Sequence, residues 1–324
     1  MAGDRGRAST LGVVIAVAIA AVFGIVVVAT RDGPTAPGPT AGRSADGAVS
    51  PLTGIAGDPG RAVLAVKVDN SPEGRPWTGV GDADVVYVEP VEGGLTRLLA
   101  VFASRLPSTV GPVRSLRESD LDLLAAYGRP ALAYSGNAPE LDAAVSAASI
   151  VPQSAERVSA AYRRAGDRPV PHNLYGDPAA LLAAAPEVDG PRDVGFRFGP
   201  VPSGLPAGEA TDVAERVGRT EVLARWGGDR WDLTIGGAPA DARPATIVVQ
   251  RVPVRTSAIR DVAGAPSPTA VTVGSGRVEV LRDGRRLTGS WSRSSPGAPT
   301  AFTGDDGTPL TFAPGPVWVL LVAQ

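Results

Sequence analysis

"DVVYVEPVEGGLTRLLAVFAS", residues 84–104, decides how the chain is organised. Its ends, 84–89 and 97–104, are short runs of valine, leucine and aromatic side chains, which suit a pleated, buried surface and read as strands. Gly93–Gly94 supply a turn between them, and Glu89, Glu92, Thr96 and Arg97 stand around that turn. A third strand is expected upstream at "AVLAVKVD" (62–69) and a fourth downstream at "ALAYS" (131–135).

Helical patterns alternate with these strands. "SLRESDLDLLAAYG" (115–128) offers Ser115 and Glu118 as a capping box, with an imperfect apolar stripe of Leu116, Leu121, Leu124 and Ala125. Asn137 is placed to cap "APELDAAVSAAS", with Glu140 three residues on. The alternation predicts a mixed α/β domain over residues 51–195. Beyond about residue 200 the helical signals fade. "RTEVLARWGGDRWDLTI" (219–235) reads as two strands around Gly227–Gly228–Asp229, and "RVEVLRDGRRLTGSWSR" (277–293) as a hairpin turned at Asp283–Gly284. "GPVWVLLVA" (315–323) makes a last, buried strand. Residues 196–324 are thus predicted to form a smaller, mainly antiparallel β domain, and no internal repeat is evident.

The N-terminal segment has a different character. "LGVVIAVAIAAVFGIVVVA" (11–29) carries no charge and as a helix spans roughly 28 Å, about the hydrocarbon thickness of a bilayer. Arg5 and Arg7 precede it, whereas only Arg31, beside Asp32, closely follows, so the positive-inside rule puts the N-terminus in the cytoplasm. Residues 1–30 are expected to be a cytoplasmic stub and an uncleaved transmembrane signal anchor. A cleaved signal peptide is the alternative, because "VVA" before Thr30 loosely resembles a cleavage site. Residues 31–50 are rich in Pro, Gly, Ala, Ser and Thr, bury too little to offset their ordering entropy, and read as a disordered linker. The resulting order is anchor, tether, then extracytoplasmic domains.

Composition narrows the chemistry. The 324-residue chain has a formal charge of -2, which gives no broad attraction to nucleic acid. It has no cysteine, hence no disulfide, thiolate nucleophile or cysteine zinc site. The single histidine, His172, cannot make a two-histidine metal set. No P-loop, dinucleotide fingerprint or G-x-S-x-G is present, so no cofactor and no metal is expected.

Four polar clusters remain. Glu89 and Glu92, three residues apart, could serve acid–base work or pair with arginines. "GPVRSLR" (111–117) puts Arg114, Ser115 and Arg117 at a predicted helix start, where they could grip an anion or bridge to Glu89 or Glu92. "KVDNSPEGRP" (67–76), with Lys67, Asp69, Asn70 and Arg75, reads as a turn opening at a strand end. "RPVPHNLYGDP" (168–178) frames His172 and Asn173 with prolines and ends in Asp177–Pro178, an N-cap and first helical residue.

Taken with "PLTG" (51–54), "GSGRVEVLRDGRRLTGSW" and "PGPVWVLL", these motifs make the chain resemble the YerB-like family, bacterial extracytoplasmic proteins with two domains of unknown function. The resemblance covers nearly all of the chain after the linker. It implies an N-terminal mixed α/β domain and a smaller C-terminal one at the outer face of the membrane. Several members look like lipoproteins with a lipid-modified cysteine; this chain has no cysteine, so its anchor would be the helix at 11–29. The family implies no established activity, but it does imply that the clusters are its own motif positions and form one site.

The expectation is a membrane-tethered extracytoplasmic binding or cell-envelope accessory protein. Arg97, Arg114, Ser115, Arg117, His172 and Asn173 would take an anionic ligand, with a cell-wall component or an envelope protein as partner. The alternative is an envelope-polymer hydrolase or lyase with Glu89, Glu92 and His172 as catalytic candidates, and a purely structural scaffold is the third reading.

Overall fold

Valine-rich runs that are buried on both faces belong inside a covered sheet, and the chain is built around one such sheet. The computed structural model describes residues 48–324 apart from residues 58, 61 and 261–263. The stub and anchor at 1–30 and the linker as far as residue 47 lie outside the described residues. Among the described residues no helix is long and apolar enough to cross a membrane.

In chain order the first half holds β1 (Leu64–Asp69), β2 (Val85–Pro90), β3 (Thr96–Phe102), α1 (Glu118–Leu124), β4 (Ala131–Tyr134), α2 (Asp142–Ala147), β5 (Val151–Ser154), β6 (Tyr162–Arg164), β7 (Leu174–Gly176) and α3 (Pro178–Ala183). The second half holds β8 (Ala207–Glu209), β9 (Asp212–Val217), β10 (Thr220–Trp226), β11 (Trp231–Ile235), β12 (Ala238–Pro239), β13 (Thr246–Val252), β14 (Val254–Arg260), β15 (Pro266–Ala270), β16 (Gly274–Arg282), β17 (Arg285–Arg293), β18 (Ala301–Gly304) and β19 (Val317–Ala323).

The main sheet has eleven strands in the order β18-β17-β16-β13-β19-β2-β3-β1-β4-β5, with β8 on β17. The last strand is threaded into its middle: β19 runs parallel to β13 on one side and to β2 on the other, pairing Val317–Leu320 with Val85–Val88. One sheet therefore runs through both halves of the chain. Every residue of β1, β2 and β3 is buried. One face carries Ala65, Val85, Tyr87, Leu99 and Val101 under α1 and the cluster of Phe196, Phe302 and Phe312. The other carries Val66, Val86, Leu98 and Trp318, packed with Val213, Val217, Trp231 and Leu233 of the four-stranded sheet β12-β11-β10-β9.

Four expectations need correction. Residues 51–195 mix strands and helices, but the strands outweigh the α-helices, which have only seven, six and six residues and do not form regular layers. α1 runs into a short 3-10 turn and stops at Gly128, whose φ of 81° breaks the helix. The linker ends earlier than residue 50, because Val49 bridges to Ala56 and Ser50 N–H donates to the Ile55 carbonyl at 2.9 Å. The second half does pair mainly antiparallel, as expected, with β19 the exception.

The other two concern helix starts, and the first of these bears on the site. Ser115 does not cap α1, which starts at Glu118 with Arg117 as its N-cap. The Asp120 carboxylate accepts the Arg117 N–H at 2.6 Å and completes the box instead. The reason is tertiary: Arg114 N–H donates to the Lys67 carbonyl and Leu116 N–H to that of Gly136, holding 114–116 extended across the sheet end. Asn137 likewise spends its amide on the Ala138 carbonyl and Asp142 rather than on capping. The two other turn readings match the structure. Asp177 caps α3 through Ala179 and Ala180, and Asp283–Gly284 turn the β16–β17 hairpin with φ of 51° and 67°.

Candidate functional site

Side chains two apart on a strand share a face, and pairing across the sheet sets them in rows. Asp69 pairs with Arg97, and Arg97 with Glu89, so these three form one row across β1, β3 and β2. Lys67 lies two residues back from Asp69 on β1. The polar row continues the face that carries Ala65, Tyr87 and Leu99, at the edge where 113–120 crosses the strands.

Lys67 is fully buried there, with Nζ 2.8 Å from Glu89 Oε1 and 2.6 Å from Asp120 Oδ1. Ser119 Oγ donates to the other Glu89 oxygen at 2.5 Å. Burial, then the neighbouring Asp120, push the Glu89 carboxyl up to about 7 against the pull of Lys67. The group ties α1 to two strands and offers nothing to solvent, since Lys67, Glu89 and Asp120 are all enclosed.

Glu92 lies in the 3-10 turn that follows β2 and is held by the Arg117 fork, Nε at 2.7 Å and Nη2 at 2.8 Å. Ser267 of β15 donates to the same carboxylate. Burial works against the charge, but the Arg117 and Ser267 hydrogen bonds outweigh it and bring Glu92 down to about 2. Such a carboxylate stays ionised and fully engaged, the opposite of a poised acid.

Asp69 gathers the second set. His172 Nδ1 lies 2.7 Å from Asp69 Oδ2, Ser71 N–H donates to Oδ1 at 3.0 Å, and Arg114 Nε stands 3.3 Å from Oδ2. Burial raises the Asp69 carboxyl, but Ser71, His172 and Arg114 together hold it below its usual range. An ionised carboxylate only accepts, so Nδ1 of His172 carries the hydrogen. Ser71 Oγ approaches that same nitrogen at 3.2 Å, so it is not set on Nε2 as a triad nucleophile would be.

Arg97 stands between the two sets. It is only 8% exposed, yet among the described residues its one hydrogen bond is from Nη1 to the Ser115 carbonyl at 3.4 Å, and no carboxylate bridges to it. Burial, then the neighbouring Arg117 and Arg114, lower this guanidinium to about 10 against the pull of Glu92 and Asp69. Ser115 contributes its carbonyl to Arg97 and Arg117, while its Oγ meets Ser135 Oγ at 3.3 Å. Asn173 is turned to its own hairpin, accepting from Arg164 at 2.8 Å and donating to the Ala165 carbonyl at 3.1 Å. The structure thus brings Glu92, Arg114, Arg117 and His172 around Asp69 and Arg97, leaves Glu89 enclosed behind them, and places Asn173 to the side. Among the described residues no three His, Asp or Glu side chains could hold a metal ion.

Residues 52–191 match the family model described as "Protein of unknown function (DUF3048) N-terminal domain", and residues 230–319 match its C-terminal domain model. The chain belongs to the YerB-like family. The Bacillus subtilis (strain 168) protein named "Putative lipoprotein YerB" is 47% identical over 72 residues, 21% of this chain. That match spans only 22% of the relative's length. The crystal structure of YerB protein from Bacillus subtilis superimposes with a TM-score of 0.70 at 22% identity, covering 85% of this chain and 96% of that one, which shows a shared fold.

In this YerB-like chain both family segments meet at the site. The row and the His172 loop lie in the first, while Ser267 on Glu92, and Ser257 and Thr269 on Glu118, come from the β14–β15 ribbon of the second. Two positions went unmarked in the sequence reading: Asp69 as the hub, and Arg168. The Arg168 fork donates to the Gly74 and Pro76 carbonyls, both at 3.0 Å, and clasps the histidine loop to the Asp69 loop.

Gly74 leaves room for the hub, because a Cβ there would sit 2.7 Å from Asp69 Cγ and 3.0 Å from Oδ2. Gly74→Ala is expected to push the carboxylate off His172 and to destabilise the fold by about 1–3 kcal/mol. The His172 imidazole resonances, single because the chain has one histidine, report the first effect and urea unfolding the second. Unmoved resonances would show that Asp69 is not held by this contact.

Proposed function

We propose that the chain is a membrane-tethered extracytoplasmic module that binds an anionic group at Arg97 and Arg114, beside His172. The observation that carries this reading is Arg97, a nine-tenths buried cation that no carboxylate bridges among the described residues. A buried charge is normally paired, because leaving it unpaired costs more than any single hydrogen bond returns. Glu92 is spent on Arg117, and Asp69 is shared between His172 and Arg114, so Arg97 is left for a ligand. Arg114 retains 19% side-chain exposure and His172 18%, which keeps the cluster open to solvent. Tethering is supported by the uncharged run at 11–29 and by the lipoprotein name of the relative. A topology reporter fused at Gln324 is expected to read extracytoplasmic; a cytoplasmic signal would sink the localisation.

The binding test is calorimetric titration of the full chain in detergent with inorganic phosphate. Arg97→Met is expected to weaken binding by about 10- to 100-fold, the value of one charge-assisted hydrogen-bonding group. Its unfolding midpoint should stay at or above that of the parent, since the side chain makes a single long hydrogen bond. Equal phosphate affinity in the two proteins would refute the site.

A further inference from the structure

We propose that Asp69 and His172 give this anion site hydrolytic capacity toward phosphodiesters, with His172 Nε2 as the base that takes a proton from water. The inference rests on the anion-binding reading and adds a reaction to it. Asp69 takes the Nδ1 hydrogen at 2.7 Å, which fixes the tautomer and leaves the Nε2 lone pair free. No hydrogen bond to Nε2 exists among the described residues, whereas Nδ1 has two neighbours. The ring cannot swing, because Asp69 is itself pinned by Ser71 N–H and the two loops are clasped by Arg168. Arg114 Nε faces the same Asp69 oxygen as the imidazole, so a cation stands beside the base.

The chemistry follows from that proximity. Arg97 and Arg114 would take the two non-bridging oxygens of a phosphodiester and offset the charge that builds on them as water adds. A carboxylate in the same grip has no bond at the gripped atom for a base to open. A phosphodiester carries the anionic oxygens and the scissile bond on one phosphorus, next to His172. As the water oxygen forms its bond to phosphorus, one water proton passes to Nε2. The opposite P–O ester bond then breaks, the leaving oxygen takes a proton from solvent, and the imidazolium returns its proton to solvent. A phosphate monoester and an alcohol result, nothing is oxidised or reduced, and water is the only co-reactant. Ser71 stays outside the step, because it faces Nδ1.

The test is release of 4-nitrophenolate from bis(4-nitrophenyl) phosphate by the full chain in detergent, alongside titration with inorganic phosphate. The parent is expected to turn over slowly. His172→Ala should lose at least about 100-fold in kcat while phosphate affinity holds within about threefold. Asp69→Asn should lower kcat with little change in KM, and Asp69→Glu should recover part of the loss, as a positioning residue requires. Carbethoxylation of the single histidine gives a readout that needs no variant: inorganic phosphate is expected to slow it. No turnover above buffer in a parent that binds phosphate, or equal turnover in parent and His172→Ala, overturns the hydrolytic step and leaves the anion site standing. Modification unaffected by bound phosphate overturns the placement of Nε2 at the anion. Absence of phosphate binding removes the reading beneath both.

Discussion

Lys67→Met is expected to lower the unfolding free energy by about 3–5 kcal/mol, the range seen when one partner of a buried ion pair is removed. The lysine stands alone between two enclosed carboxylates, Glu89 at 2.8 Å and Asp120 at 2.6 Å. Methionine fills the aliphatic space but leaves both acids without their cation. The loss is expected to grow with pH. Glu89 already binds its proton up to about 7 in the folded chain, against 4.5 in the unfolded one. As pH rises through that window the unfolded state ionises first, so stability falls across it and stays reduced above it. Without Lys67 the folded Glu89 carboxyl holds its proton to still higher pH, which widens the window. Urea unfolding at about pH 5 and about pH 8 reads both effects. Glu89→Gln, which removes the titrating group and keeps its shape, should flatten the parent's slope between those values. A Lys67→Met loss that does not change with pH would mean that these carboxylates are not what the lysine compensates.

The row that makes the site was partly open to reading in the sequence. Alternation along "AVLAVKVD" puts Ala65, Lys67 and Asp69 on one face, and "VVYVE" does the same for Val85, Tyr87 and Glu89. Arg97, Leu99 and Val101 repeat the pattern on the next strand, so a polar end to an apolar face is written three times. What alternation cannot give is which strands are neighbours. Asp69 finds His172 across 103 residues, and β19 enters between β13 and β2 from the far end of the chain. Such pairings are set by packing and register, not by local propensity. The capping box failed for a related reason. Ser115 and Glu118 satisfy the local signature, but Arg117 and Asp120 offer another box two residues on. Two tertiary hydrogen bonds, from Arg114 and Leu116, then choose between them. Asp69 was passed over because Asp–Asn at a strand end is an ordinary turn opening, and Gly74 shows its special role only when its missing side chain is set against the carboxylate.

Arg117→Met is expected to cost up to about 3 kcal/mol at neutral pH, and most of that cost should disappear in acid. The Arg117 fork and Ser267 bring Glu92 to about 2 from an ordinary 4.5. A depressed carboxyl contributes stability that is present in full above the unfolded value and is lost as pH falls through the folded one. In the parent this contribution therefore drains away between about 4.5 and about 2. The variant has no fork to lose, so its stability should be the less acid-sensitive, and the two unfolding curves should converge in that interval. Asp69 titrates in the same direction, held down by Ser71, His172 and Arg114, but it is intact in both proteins and cancels from the difference. The comparison also asks whether the second family segment is coupled to the first, because Ser267 of β15 donates to the same carboxylate. With Arg117 gone, Ser257 and Thr269 still seat the ribbon on Glu118, but the Glu92 carboxylate that Ser267 meets is no longer held, and hydrogen exchange in 266–270 should quicken in step with the loss of stability. A parent–variant gap that stays constant from neutral pH down to about 2 would show that Glu92 is not the group Arg117 holds.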